Sequence, residues 1–197
     1  MTIDVFFALL AFAFVSSVTP GPNNFMLLAS GVNFGFRRTL PHMFGIAGGF
    51  FVLLLAVGFG LGALLVAYPP LHVALKVIGG AYLLFLAYRI ATATTLSDRA
   101  GGEHPLTFLQ AAAFQWVNPK AWVLAVTAMA IYTDPAAPFI SVVLVAVAFA
   151  LVNWPSVSVW AGFGVMLRQF LSDPLRLRWF NRAMGALLVL TLVPLLL

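Results

Sequence analysis

The sequence predicts an all-α integral membrane protein with six transmembrane helices, arranged as two inverted three-helix repeats in one transmembrane domain over residues 1–197. Three observations predict this fold class: scarce charge, six apolar runs of spanning length, and two Pro- and Asn-containing breaks at matching positions. Hydrophobic residues make up 63% of the chain and charged residues 8%, whereas a soluble domain carries about 25% charged residues. So little charge cannot cover a surface that faces water, and the mean hydropathy of +1.07 agrees with this.

The first repeat covers about residues 3–92 and holds three apolar runs, each long enough for the roughly 20 residues that a span requires. A short basic loop at Gly35–Arg38 follows the first run, and Tyr68-Pro69-Pro70 turns the chain into the third. The predicted spans are Ile3 to Val32, Pro41 to Ala67 and Leu71 to Thr92.

A water-loving loop at about residues 93–105 leads to the second repeat, which covers about residues 106–197. Its predicted spans are Leu106 to Ile131, Pro138 to Leu167 and Ala183 to Leu197. A fixed shift of 99 residues lays the second half on the first and places Pro20 on Pro119, although few residues are identical. Because each repeat has an odd number of spans, the second must be inverted in the membrane, as in secondary transporters.

Basic residues predict the orientation. The connections after the first, third and fifth spans, with their edges, contain eight arginines, and those after the second and fourth contain neither Lys nor Arg; Lys76 lies a few residues into span three. The positive-inside rule then places the odd connections in the cytoplasm and both termini outside. Since Met1–Asp4 has no basic stretch, the first run is expected to be a retained span and not a cleaved signal peptide.

Several function classes fit poorly. The net charge of +5 comes from residues in loops and makes no nucleic-acid face, and without Cys there is neither a disulfide nor a Cys metal site. An enzyme would need a nucleophile with a base, paired carboxylates or a cluster of metal ligands, but the three His are scattered and no acid lies mid-span. No cofactor and no metal are expected. A passive channel commonly relies on rings of like residues, which a single pair of breaks does not provide.

The two breaks are the candidate binding site. Lipid cannot hydrogen-bond a freed backbone group, so a broken helix at membrane depth must be buried in protein or face a watery cavity. Matched breaks in the two halves indicate the binding site of a transporter. The candidate residues are Thr19, Pro20, Gly21, Pro22, Asn23 and Asn24 in the first break, and Gln115, Asn118, Pro119 and Lys120 in the second.

The motifs Thr19-Pro20-Gly21-Pro22-Asn23 and Asn118-Pro119-Lys120-Ala121, with the glycine-rich second span and Leu75–Leu83, resemble the LysE/RhtB family of amino-acid exporters. The doubled asparagine, Gly35-Phe36-Arg37 and Gln115–Asn118 look most like its cysteine and O-acetylserine exporter branch. The resemblance covers essentially the whole chain. It implies export of amino acids or close derivatives across a bacterial inner membrane, driven by the proton gradient.

The chemistry of the breaks suits a zwitterion. Pro20 and Pro119 free carbonyls near Ser16 and Gln115, and each new half-helix starts with N–H groups suited to a carboxylate. The asparagines offer amides for an amino group. Lys120 is expected to be the counter-ion of the substrate carboxylate, because an ionisable group at this depth is costly. The alternatives are that Lys120 snorkels or meets a helix C-terminus, and that the prolines only shape packing.

Other residues receive weaker interpretations. The small-residue spacing of the second span favours close helix contacts over substrate contacts. Asn153 could line the cavity or cross-link helices, and Tyr82 is left open. Interfacial positions are expected for the remaining polar and aromatic residues near span ends. The small residues are Gly45, Gly49, Gly58 and Gly62, and the interfacial ones are His42, His72, Tyr68, Trp179 and Phe180.

Substrate and coupling follow only in part. A mid-membrane Lys without an acidic partner would repel a dibasic substrate, which favours uncharged ones such as cysteine, O-acetylserine, homoserine or threonine. Protons are the expected coupling ion, yet Lys120, a histidine or the substrate's own charge could each provide the coupling. The alternatives to an amino-acid exporter are a passive channel and an exporter of another metabolite. The glycine-rich second span would also allow a homo-oligomer.

Overall fold

The computed structural model describes residues 1–94, 96 and 104–193, without the side chains of residues 64–66, 69 and 72. Within these ranges every regular element is helical. The expected interfacial position of His72, the acidic residues Asp98 and Glu103 of the predicted loop, and the end of the sixth predicted span lie outside the described residues. The helices are α1 (Ile3–Val18), α2 (Pro22–Phe34), α3 (Phe36–Ala56), α4 (Gly62–Ala67), α5 (Pro69–Thr92), α6 (Phe108–Gln115), α7 (Pro119–Tyr132), α8 (Pro138–Arg168) and α9 (Pro174–Leu190).

Three stretches of the described chain are long and apolar enough to cross a membrane, namely Phe36–Leu61, Val73–Thr92 and Pro138–Arg168. The pair α1 and α2, bent by 56° at their junction, makes a fourth if it counts as one broken span. The all-helical membrane class is therefore confirmed. The count of six spans and the inversion of the repeats remain predictions, as does the single domain.

Both predicted breaks are present. α1 ends at Val18 and α2 begins at Pro22, while α6 ends at Gln115 and α7 begins at Pro119. Pro22, and not Pro20, takes the first-turn position in α2 that Pro119 takes in α7. Proline suits that position because its fixed φ and missing N–H cost nothing there.

Two element boundaries differ from the sequence prediction. The expected basic loop at residues 35–38 shrinks to Gly35, whose φ of +78° favours glycine, and Arg37 and Arg38 fall in the first turn of α3. The last helix begins at Pro174 instead of near Ala183, because the Asp173 carboxylate accepts the N–H groups of Leu175 and Arg176. Hydropathy detects only the lipid-depth part of a helix, and this cap starts the helix in a polar stretch.

Small residues allow close helix approach, as expected for two of the four glycines in the second span. A Cβ on Gly45 would lie 2.4 Å from the Phe108 carbonyl oxygen, and one on Gly49 would lie 2.5 Å from the Ala112 Cα atom. Gly45 and Gly49 therefore bring α3 against α6, the close contact that small residues make in membranes. Gly58 faces the Val142 side chain on α8, while Gly62 meets, among the side chains that the structure describes, only Val57 of its own turn.

α8 is the central helix of the fold and packs against α1, α2 and α3. Its Phe149 ring meets the rings of Phe12 and Phe50 edge to face, with centroids 5.9 and 5.5 Å away. α8 runs antiparallel to α2, since Gly164 touches the Leu28 carbonyl and Gly31 touches the Ala161 carbonyl. This packing brings the junction between α1 and α2 against the middle of α8.

Candidate functional site

The two breaks meet in space. The side-chain amides of Asn23 and Gln115 donate to each other's oxygens, at 2.8 Å from Asn23 Nδ2 and 3.1 Å from Gln115 Nε2. The Lys120 ammonium donates to the Thr19 carbonyl at 2.6 Å and to the Pro20 carbonyl at 3.4 Å. Residues about a hundred positions apart therefore form one polar cluster.

The first break begins where Thr19 takes an extended conformation, as a residue before proline tends to do. α1 consequently ends with carbonyls that have no partner within the helix. Asn24 Nδ2 donates to the Ser17 and Thr19 carbonyls at 3.0 and 2.8 Å, and Trp160 Nε1 donates to the Val18 carbonyl at 3.2 Å. Asn24, predicted as a substrate ligand, thus caps the end of α1.

The start of α2 is open by comparison. Gly21 is its N-cap, Pro22 follows, and no side chain in the described part of the chain caps the first N–H groups. Gly21 is fully extended, with φ −179°, so its backbone places no demand for glycine. Its missing side chain makes room for Lys120, whose Cδ would lie 2.9 Å from an added Cβ. An uncapped helix N-terminus beside an ammonium group is a good place for an anion.

The start of α7 differs, because Asn118 caps it. The Asn118 Oδ1 accepts the Lys120 N–H at 3.1 Å, and Pro119 takes the first helical position. Only one of the two half-helix starts therefore lacks a side-chain cap, although the sequence predicts both to suit a carboxylate. The capped turn also directs the Lys120 side chain across to the end of α1.

A small cavity lies at this junction. Most of the predicted residues line it, while Thr19, Pro20 and Pro119 do not. The lining residues are Ser16, Ser17, Gly21, Pro22, Asn23, Asn24, Phe50, Gln115, Asn118, Lys120, Ala121, Leu124, Asn153 and Val157.

Asn153 combines both roles that the sequence left open for it. It lines the cavity, and its Nδ2 donates to Ser17 Oγ at 3.1 Å, which links α8 to α1. Its Oδ1 is buried and has no hydrogen-bond partner among the described residues. A buried orphan acceptor is costly unless a ligand or water satisfies it. Asn153 is the one amide side chain within Pro138–Arg168, and this was the sequence signal for the role.

Ligand chemistry follows from this lining. Lys120 is the one ionisable side chain among the lining residues described, and the rest of the polar groups are amides and hydroxyls. No cluster of three or more His, Cys, Asp or Glu occurs in the described part of the chain. The cavity offers a cation and an open helix start for a carboxylate, and an amide oxygen for an ammonium group.

The sequence interpretations of the other polar and aromatic residues have different outcomes. The Tyr82 ring lies at 45° to that of Phe114, with centroids 5.9 Å apart, and Tyr82 does not line the cavity. The interfacial interpretation of His42 is wrong, because its side chain is 2% exposed. Tyr68 and Trp179 are largely exposed, whereas Phe180 packs on a buried cluster.

The chain is similar in sequence to known translocators and efflux proteins. The family model described as "LysE type translocator" matches residues 14–197. The chain is 30% identical over 195 residues to the "Cysteine/O-acetylserine efflux protein" of Escherichia coli (strain K12) and to that of Shigella sonnei (strain Ss046). Each alignment covers 98% of this chain and 96% of the relative. No solved structure matches the chain.

Proposed function

The chain belongs to the LysE family of translocators, and we propose that it exports small, neutral amino acids or their derivatives from the cytoplasm by secondary active transport. It is a membrane translocator and not an enzyme. The candidate substrates are cysteine, O-acetylserine, homoserine and threonine, the first two being those named for its relatives.

One observation carries the proposal: the cavity places a cation and an orphan acceptor among amides. The substrate carboxylate would lie at the open start of α2, beside the Lys120 ammonium. The substrate ammonium would donate to the unpartnered Asn153 Oδ1. Both charges of a zwitterion then have a partner, which offsets part of the cost of removing them from water.

Lys120 keeps capacity for this role. An ammonium group has three N–H donors, and two of them already reach the Thr19 and Pro20 carbonyls. Without substrate, Lys120 therefore lies at the C-terminal end of α1, which is the contact expected if it does not act as a counter-ion. A bound carboxylate would take the remaining donor or exchange for one of the carbonyls. With no acidic residue among those that line the cavity, a second positive charge on the substrate would be repelled.

We further propose six spans in one domain of a bacterial inner membrane, with two inverted three-span repeats at 3–92 and 106–197. The basic connections would face the cytoplasm and both termini the outside. Two contacts support this arrangement: Arg38 reaches His104 at 3.4 Å, and Gly35 lies beside the Arg168 guanidinium. All the connections predicted to share a side thus approach one another at one end. At the other, the N-terminal ammonium is 3.7 Å from Asp134.

Protons are the proposed coupling ion, with a passive channel or export of another metabolite as the alternative functions. A homo-oligomer through the second span would have to use exposed residues such as Phe44 and Val52. Gly45 and Gly49 are already covered by α6.

The test is efflux of labelled amino acids from vesicles that contain the purified protein, with and without an imposed pH gradient. The panel is cysteine, O-acetylserine, threonine, homoserine, leucine and lysine, and protein-free vesicles give the leak. We expect saturable, gradient-dependent release of one or two neutral members. Saturable release that ignores the gradient would contradict proton coupling, non-saturable release would favour a channel, and no release from folded protein would overturn the amino-acid assignment.

A further inference from the structure

A second cavity lies toward the other end of α2, between α2, α3, α5 and the chain just before α6. Much of the lining is apolar, and the ionisable side chains on it are His42, Arg89 and His104. Nothing in the central site uses these residues.

His42 gives the first indication that this cavity binds something. Its side chain is 2% exposed, and neither Nδ1 nor Nε2 has a hydrogen-bond partner among the described residues. Buried polar atoms in native proteins are almost always hydrogen-bonded, to protein or to another molecule. Since His42 lines the cavity, a ligand in the cavity would supply the missing partner.

The sign of the ligand follows from the charged groups. Arg89, on α5, is half-buried in the lining, and no described residue accepts a hydrogen bond from its guanidinium. His104 lines the rim, and Arg38 approaches it from α3 at 3.4 Å. The described lining contains no acidic residue. A planar guanidinium with paired donors suits a carboxylate.

The other polar side chains of the lining have partners within the protein. Ser30 pairs with Thr39 at 2.9 Å, and Thr39 donates to the Gly35 carbonyl. Asn33 donates to the Ala29 carbonyl and exchanges amide hydrogen bonds with Asn181. His42 and Arg89 are therefore the groups left for a ligand.

α2 connects the two cavities. Asn23 lines the central one, and Met26, Ser30 and Asn33 line the second. Their spacing of three, four and three residues places all four on one helix face, over about 15 Å. Met26 and Phe114 belong to one buried apolar cluster between the two ends of this stripe.

We propose that the second cavity is the initial binding site for the carboxylate of the transported amino acid, on the side of the basic connections. Arg89 binds the carboxylate and His42 hydrogen-bonds to it, before the substrate moves along α2 to Lys120. This inference rests on the proposed function, because it takes the ligand to be the exported amino acid.

The test uses the absence of native cysteine. Ala93→Cys places a thiol in the lining, and Thr92→Cys gives a matched thiol one residue away, exposed and outside the cavity. A thiol-reactive probe is applied to the full chain in vesicles, and protection is measured with threonine. Protection by threonine is compared with protection by the amine that lacks its carboxylate and by inorganic phosphate. Each measurement is made in vesicles of neutral lipid and in vesicles of anionic lipid.

We expect threonine, but not the amine, to slow labelling at position 93 and to leave position 92 unaffected. Arg89→Gln should raise the threonine concentration for half-protection about tenfold or more, equivalent to about 1.4 kcal/mol. Arg89→Lys should restore part of the protection, and His42→Leu should weaken it. Equal protection by amine and amino acid, or protection insensitive to Arg89→Gln, would overturn the proposal.

Protection by phosphate or by anionic lipid alone would assign the cavity to those anions and would equally overturn it. The binding assay requires no transport, so the two proposals can fail separately. Carboxylate protection without efflux in the vesicle experiment would reject the exporter and keep a carboxylate site, without its role in transport. Efflux without protection would reject only the site.

Discussion

The Lys120 ammonium lies 2.6 Å from the carbonyl oxygen of Thr19. A cation from the second break therefore hydrogen-bonds the C-terminal end of α1, the helix before the first break. A lysine at membrane depth is costly unless it has partners. Here the partners are backbone carbonyls that would themselves be unsatisfied. The contact therefore stabilises both groups, and it places the positive charge at the cavity.

Lys120→Met should reduce efflux strongly, by about 10–100-fold if one charge-assisted hydrogen bond to the substrate is lost. Lys120→Arg should retain part of the activity, because a guanidinium keeps the charge but not the compact geometry. Lys76→Met is the control, since Lys76 lines neither cavity. Normal initial efflux rates for Lys120→Met in vesicles, at equal protein content, would remove Lys120 from the site.

Asn153→Leu should raise the KM of efflux about tenfold while changing the free energy of unfolding little. It removes the orphan Oδ1 and one hydrogen bond to Ser17, and in membranes such a bond contributes about 0.6 kcal/mol. Ser156→Ala, on the same helix and outside the cavity, is the control in saturation curves of efflux. An unchanged KM would mean that Asn153 serves only to link α8 with α1.

The Asn23–Gln115 pair should show a coupling energy of about 1 kcal/mol in a double-mutant cycle, since it contains two hydrogen bonds of about 0.6 kcal/mol each. Asn23→Ala, Gln115→Ala and the double variant would be compared by denaturant unfolding in detergent. Asn23→Ala combined with Asn181→Ala is the reference, because Asn181 instead pairs with Asn33 and the two effects should add. A coupling near zero would show that the two breaks are held together by packing alone.

Gly164→Ala should destabilise the protein by about 1–3 kcal/mol, the usual effect of overpacking. An added Cβ would lie 2.2 Å from the Leu28 carbonyl oxygen on α2. Gly162→Ala, two residues earlier on α8, meets nothing within 4 Å and should be neutral or stabilising by up to about 1 kcal/mol. Thermal unfolding in detergent compares them. Equal Tm values would contradict the close contact between α2 and α8.

A reporter fused after Leu197 should register outside the cytoplasm, because the basic connections are expected to remain inside. A paired alkaline phosphatase and fluorescent-protein fusion gives opposite signals on the two sides. Substituting the arginines of α9, at positions 176, 178 and 182, should weaken the preference of the chain for this orientation, because fewer basic residues would hold the connection inside. A fluorescent, phosphatase-inactive C-terminus would overturn the proposed orientation.

Sequence signals located the breaks because they are local. Pro20, Pro22 and Pro119 stand beside Gly and Asn residues, so each break can be recognised from a few consecutive residues. The fate of each side chain is not local. Asn24 and Asn118 read alike in the sequence, yet one caps the end of α1 and the other the start of α7. Only the packing of α8 reveals that the Asn153 Oδ1 atom is buried in the cavity lining without a hydrogen-bond partner among the described residues.

Hydropathy likewise located the apolar runs better than the helix ends. The start of α9 depends on the Asp173 cap, and the one-residue turn at Gly35 depends on its positive φ. His42 shows the same limit of sequence patterns. A histidine near the end of a span suggests the membrane interface, yet His42 is buried. Its side chain instead lines a cavity together with residues of α2 and α5, which no pattern within α3 discloses.

The carbonyls that end α1 are held by side chains from three helices: Asn24 on α2, Lys120 on α7 and Trp160 on α8. Asn24 and Lys120 both donate to the Thr19 carbonyl oxygen, so this oxygen would keep one hydrogen bond if the other were lost. Under the proposed function, Lys120 would turn to the substrate carboxylate while Asn24 keeps the Thr19 carbonyl hydrogen-bonded. Substrate binding would then come before any movement of α1.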